Sequence, residues 1–117
     1  MGLSEPFQGM VPARLQRLEH HSDGRVGIFV AAGFRSRLLG LAFLRDVPHT
    51  QALLIPRCSS VHTFGMRFEL DVTFLDADGR KLRTAWDVPP GRIVRHRGAA
   101  AVLERRSFAS SRARDQG

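Results

Sequence analysis

Residues 67–88, RFELDVTFLDADGRKLRTAWDV, decide how this chain folds. Leu70, Val72 and Phe74 alternate with Asp71 and Thr73. That is the two-residue period of a strand with one buried face, and it puts Asp71 on the other side. Asp76-Ala77-Asp78-Gly79 is a turn signal, and KLRTAW returns from Lys81 as the partner strand. The spacing predicts an antiparallel β-hairpin, and the rest of the chain reads outward from it.

Upstream, ALLIP (52–56) is a short apolar run ended by proline, and RVGIFVAA (25–32) is β-branched and apolar; both read as strands. Between them, FRSRLLGLAFL (34–44) places Phe34, Leu38, Leu41 and Ala42 at helical spacing, which predicts one short amphipathic helix. HHSDG (20–24) reads as a polar turn after a first strand over Ala13 to Leu18. Downstream, Pro89-Pro90-Gly91 breaks the chain before two further short strands, RIVRHR (92–97) and AAAVLE (99–104). Three segments result: a loosely organised 1–24, a core domain over 25–104 and a basic, fraying tail over 105–117. Many strands with one helix predict a compact α+β domain dominated by antiparallel sheet.

A chain of 117 residues fits one domain, and 43% hydrophobic content is enough for a core. No apolar run approaches the roughly 20 residues of a membrane-spanning helix. The N-terminal residues lack the pattern of a secretory signal, so a cytoplasmic protein is expected. The formal net charge of +7 raises the question of an anionic partner, against the plainer reading of a basic surface that serves solubility, and its distribution matters more than its sum. From Arg80 to Arg114 there are ten Lys or Arg residues against Asp87 and Glu104. That half holds only Trp86 and Phe108 as aromatics, and no nucleic-acid-binding motif is present. Both observations count against nucleic acid as the partner and leave a small anionic ligand or a protein. Trp86 itself reads as core or core rim.

RLLGLAF, a short strand, then SVHTFGMRFELDVTFLDADGRKL and AAAVLE follow one another from about Gly33 to Glu104. In this order they resemble the domain of unknown function 192 family. The most specific parts are the Arg-x-x-Gly-Leu helix (Arg37 to Leu41), the hairpin residues Leu70, Asp71, Phe74, Leu75, Asp76 and Gly79, and the strand Val102 to Glu104. Cys-Ser-Ser-Val-His-Thr-Phe-Gly-Met stands where the family often has Phe-Trp-Met-Lys-Asn-Thr, which marks a variant branch. Ala42 replaces a common methionine, Glu69 a common proline, and the end of the chain departs from a Gly-rich pattern. The resemblance implies a strongly curved, barrel-like β-sheet with one packed helix, and it implies no established activity.

The stretch CSSVHTFGM (58–66) holds the only cysteine four positions before a histidine. A thiolate beside an imidazole is a nucleophile with its base, so a small hydrolase or transferase using Cys58 and His62, with Asp71 as a third group, is one reading. The plainer reading is a half-buried thiol and a histidine bonded to backbone. The histidines and Cys58 show no recognisable zinc spacing, and Asp76 and Asp78 lack the rest of a calcium loop. No metal or cofactor is therefore expected. Asp71, an acid in an apolar strand, needs a cation or backbone donors wherever it is buried. Arg95 and Arg97 share a strand face that could bridge an anion, or simply protect a sheet edge. The first expectation is a non-enzymatic binding or accessory module with its site at Cys58, His62, Thr63, Met66 and Asp71. An anion-binding face through Arg95 and Arg97 is the third reading.

Overall fold

The computed structural model describes residues 19–23, 26–31, 47–48 and 50–107. These form eight strands: β1 (Glu19–Asp23), β2 (Val26–Val30), β3 (Gln51–Pro56), β4 (Ser60–His62), β5 (Leu70–Leu75), β6 (Lys81–Val88), β7 (Ile93–Arg95) and β8 (Ala101–Arg106). Six make one sheet in the order β1-β2-β3-β8-β5-β6, and β4 and β7 make a separate two-stranded ribbon.

The hairpin stands as the sequence predicts. β5 pairs antiparallel with β6, and Asp76 closes the turn through its side chain. Its Oδ1 accepts from the backbone N–H groups of Asp78 (2.9 Å) and Arg80 (2.8 Å), and Gly79 takes a φ of 83° that few other residues tolerate. β8 inserts between β5 and β3, antiparallel to both, so β5 is an interior strand buried on both faces. Asp71 (7% exposed) and Thr73 (9%) are covered along with Leu70, Val72 and Phe74. A one-sided alternation could not show that, because the second face is covered by tertiary packing.

The expected α+β, barrel-like architecture is corrected. The described residues are all β, without a helix, and the six-stranded sheet is open, with β1 and β6 as its two edges. The short-strand pattern foretold the strands and was silent on closure, which depends on edges meeting. The predicted helix over 34–44 and the predicted strand over 13–18 lie outside the described residues. HHSDG is also corrected: through Asp23 it is β1, paired antiparallel to β2 with His20 opposite Phe29. Its turn-forming residue types are overridden by pairing with an apolar neighbour. β2 and β3 run parallel, which the sequence reading did not anticipate.

One core cluster joins the two sheets. Phe29, Leu53, Ile55, Val72, Phe74 and Val102 line the inner face of the large sheet, and Val61 and Met66 reach the same cluster from the β4 side. Val94, the cross-strand partner of Val61, packs against it as well. The small ribbon is thereby anchored by its inward residues, and its other residues are left to face outward.

Candidate binding face

Arg57 enters the CSSVHTFGM stretch with a φ of 52°, which turns the chain from β3 toward β4. The half-buried Cys58 then docks through its backbone, with its N–H donating to Ala100 O at 3.3 Å. Its thiol donates to Ser60 O at 3.2 Å, and its side chain packs against the core cluster.

β4 and β7 hold their register with Ser60 opposite Arg95, Val61 opposite Val94 and His62 opposite Ile93. Since Val61 and Val94 turn inward, Ser60, His62, Ile93 and Arg95 share the outward face. The His62 ring stacks on Phe64, with centroids 5.6 Å apart and planes at 25°. Phe64 is 51% exposed and Ile93 56%, so the ribbon displays an apolar strip. Arg57, Arg67, Arg92, Arg95 and Arg97, in the ribbon and the segments adjoining it, are exposed, and residues 57–67 and 89–103 contain no Asp or Glu.

Thr63 is fully buried and ties the ribbon to the Pro89-Pro90-Gly91 turn. Its hydroxyl donates to Pro89 O (2.7 Å) and accepts from the Arg92 N–H (2.8 Å). Its backbone N–H donates to Arg92 O (2.8 Å), and its carbonyl accepts from Gly91 N–H (3.1 Å). Met66 is a core side chain, 6% exposed. Thr63 and Met66 therefore carry the scaffold beneath the face.

Asp71 lies on β5 of the large sheet, opposite Arg105 in register. Its Oδ1 accepts from the backbone N–H of Asp87 at 2.9 Å, and Asp87 holds a φ of 53°. Asp87 in turn accepts a hydrogen bond from the Ser107 hydroxyl. This network pins an extra residue in β6, where Leu70 faces Val88 but Val72 faces Ala85. The bulge turns Trp86 into solvent, at 68% exposure. The expectation of a core or rim tryptophan is corrected on that ground.

Arg95 closes β7, and Arg97 sits in the turn beyond it, so the two do not share one strand face as expected. His96 between them is tied down: its backbone N–H donates to Ser59 O (2.9 Å) and its Nδ1–H to Arg97 O (2.8 Å), and its ring leans on Phe74. Of the residues singled out from sequence, His62 and Arg95 share the outward face. Cys58, Thr63 and Met66 lie beneath or beside it, and Asp71 belongs to the β6 bulge. Phe64, Ile93 and Arg92 were missed as face residues. The lack of carboxylates in both contributing stretches was the available signal. Among the described residues no group of three or more His, Cys, Asp or Glu could hold a metal ion, and no helix is long and apolar enough to cross a membrane.

An open antiparallel-rich sheet carrying a small basic ribbon is the class of fold this chain defines. The chain belongs to the domain of unknown function 192 family, described as an uncharacterized ACR, whose model matches residues 17–113. It is similar in structure to a protein of Sinorhizobium meliloti 1021 described as a "putative transcription regulator". That likeness has a TM-score of 0.66 at 21% identity, covering 75% of this chain and 74% of the other. It is also similar to a protein of unknown function from Novosphingobium aromaticivorans, with a TM-score of 0.64 at 15% identity, covering 87% and 91%. At these identities the likenesses establish the fold alone. No curated protein matches.

Proposed function

We propose that the chain is a non-enzymatic binding module whose outward β4–β7 face takes an acidic segment of a partner polypeptide. The observation that carries this reading is composition: the stretches 57–67 and 89–103 that build the ribbon hold five exposed arginines, Arg95 among them on the outward face, and no Asp or Glu, beside an apolar strip of Phe64, Ile93 and the stacked His62. Arginines in that setting bind carboxylates in pairs and steer an acidic partner, while exposed Phe and Ile supply desolvated anchors. The described contacts of Cys58 run to the backbone carbonyls of Ser60 and Ala100, which supports a structural thiol over a nucleophile. The regulator description of the Sinorhizobium protein is compatible with action by binding.

The test is titration of the full chain with a synthetic peptide alternating Glu or Asp with Leu or Phe, beside oligothymidine as the competing anion. The peptide should bind saturably, more weakly as salt rises, and the Cys58→Ala variant should bind it as well as wild type. Arg92→Glu with Arg95→Glu should abolish binding, and Phe64→Ala should weaken it. Tighter binding of oligothymidine would move the assignment to single-stranded nucleic acid. No binding of either probe would overturn the reading.

A further inference from the structure

We propose that β6 is a self-pairing edge, where a second copy of this chain adds its own β6 antiparallel about a two-fold axis at Thr84. β6 is an outer strand of the six-stranded sheet, and most of its length is exposed. It presents two large apolar side chains to solvent, Trp86 at 68% and Leu82 at 43%. An edge of this kind is a template for another strand, with main-chain hydrogen bonds supplying affinity and side chains supplying choice.

Two features select a copy of the same strand. The first is charge. Lys81 and Arg83 stand near the start of β6 and Asp87 near its end. Antiparallel pairing about Thr84 sets Lys81 against the partner's Asp87 and Leu82 against the partner's Trp86, so both ends gain complementary neighbours. A two-fold one residue earlier would place Arg83 on the partner's Arg83, a like-charge pair.

The second feature is the pair of bulges. Phe74 faces Arg83 but Leu75 faces Lys81, which leaves Leu82 as an extra residue. Leu70 faces Val88 but Val72 faces Ala85, which leaves another extra residue at Trp86-Asp87. Bulges normally protect an edge, since a regular strand loses register on meeting them. Here one lies two residues before Thr84 and the other two to three residues after it. A second copy turned about Thr84 lays the Leu82 bulge against the partner's Trp86 bulge, so the irregularities that exclude other strands fit this one. This edge is separate from the basic β4–β7 face, and neither proposal depends on the other.

Trp86 is the only tryptophan, so its emission reports on this edge alone. The full chain is examined by sedimentation equilibrium over a wide concentration range, with emission maximum and acrylamide quenching recorded in parallel. The expected result is a dimer whose formation shifts Trp86 emission to shorter wavelength and protects it from quenching. Trp86→Lys and Leu82→Lys should each be monomeric, and Lys81→Glu should weaken the dimer several-fold. All three side chains are exposed, so the variants should keep the wild-type thermal melt. Phe64→Lys, on the other face, should leave the dimer intact. A chain that stays monomeric overturns the proposal. So does a dimer in which Trp86 remains open to quencher or which survives Trp86→Lys.

Discussion

The carboxylate of Asp71 accepts the backbone N–H of Asp87, 2.9 Å away across the β5–β6 pair, at the point where β6 carries an extra residue. A bulge leaves backbone groups without ladder partners, and Asp71 supplies the missing acceptor. The acid in the apolar strand is thereby explained as the support of a strained turn of backbone, with Asp87 at a φ of 53°. Asp71→Ala should cost about 1–3 kcal/mol, because it strands a donor at a buried position. Asp71→Asn keeps a side-chain oxygen in place and should cost less. Urea denaturation of the two variants separates them, and equal losses would mean that charge, rather than the acceptor, is what the bulge requires.

Thr63 plays the matching part beneath the basic face. Its hydroxyl serves Pro89 O and the Arg92 N–H at once, and nothing of the residue is exposed. Thr63→Val keeps the shape and removes both bonds, leaving a donor and an acceptor poorly served; a loss of about 1–3 kcal/mol is expected. Thr63→Ser retains the hydroxyl and should lose less. The same substitution to valine should loosen the start of β7, read as faster amide exchange at Arg92 than in wild type.

These two residues also show how far the sequence could be read. The hairpin was legible because alternation and turn chemistry are local, and Leu70, Val72 and Phe74 are buried as their period requires. The burial of Asp71 was not, because β8, from far along the chain, makes β5 an interior strand and tertiary packing covers its second face. β1 was hidden by turn-forming residues whose conformation is decided by pairing with β2. Thr63 and Met66 drew notice as polar-patch residues without an evident packing role, yet their partners come from the core and from the turn at 89–92. The exposure of Trp86 follows from a one-residue insertion in β6, which no periodicity of that strand reveals.

Cys58 should behave as a packed thiol. It is half-buried, leans on the core and donates to Ser60 O. Alkylation by iodoacetamide should be slower in the native protein than in urea, and His62→Ala should leave the native rate unchanged. A native rate that falls in the histidine variant would restore the nucleophile reading.

Gly27 is fixed by its neighbours. It pairs with Gln51 of β3, and a Cβ there would collide with Gln51 Oε1 and His20 Nε2. Both of those atoms are buried without a hydrogen-bond partner, and Gln51 is only 4% exposed, so the Gln51 side chain cannot swing into solvent without opening the sheet. Gly27→Ala should therefore destabilise by about 1–3 kcal/mol, as overpacking of a filled site does. If the collision with Gln51 is the cause, Gln51→Ala in the same chain should recover much of the loss, a coupling that separate effects would not show. Thermal melts of the two single variants and the double variant measure it. Simple additivity would instead place the cost in the β2 backbone, where an alanine alters the parallel pairing with β3.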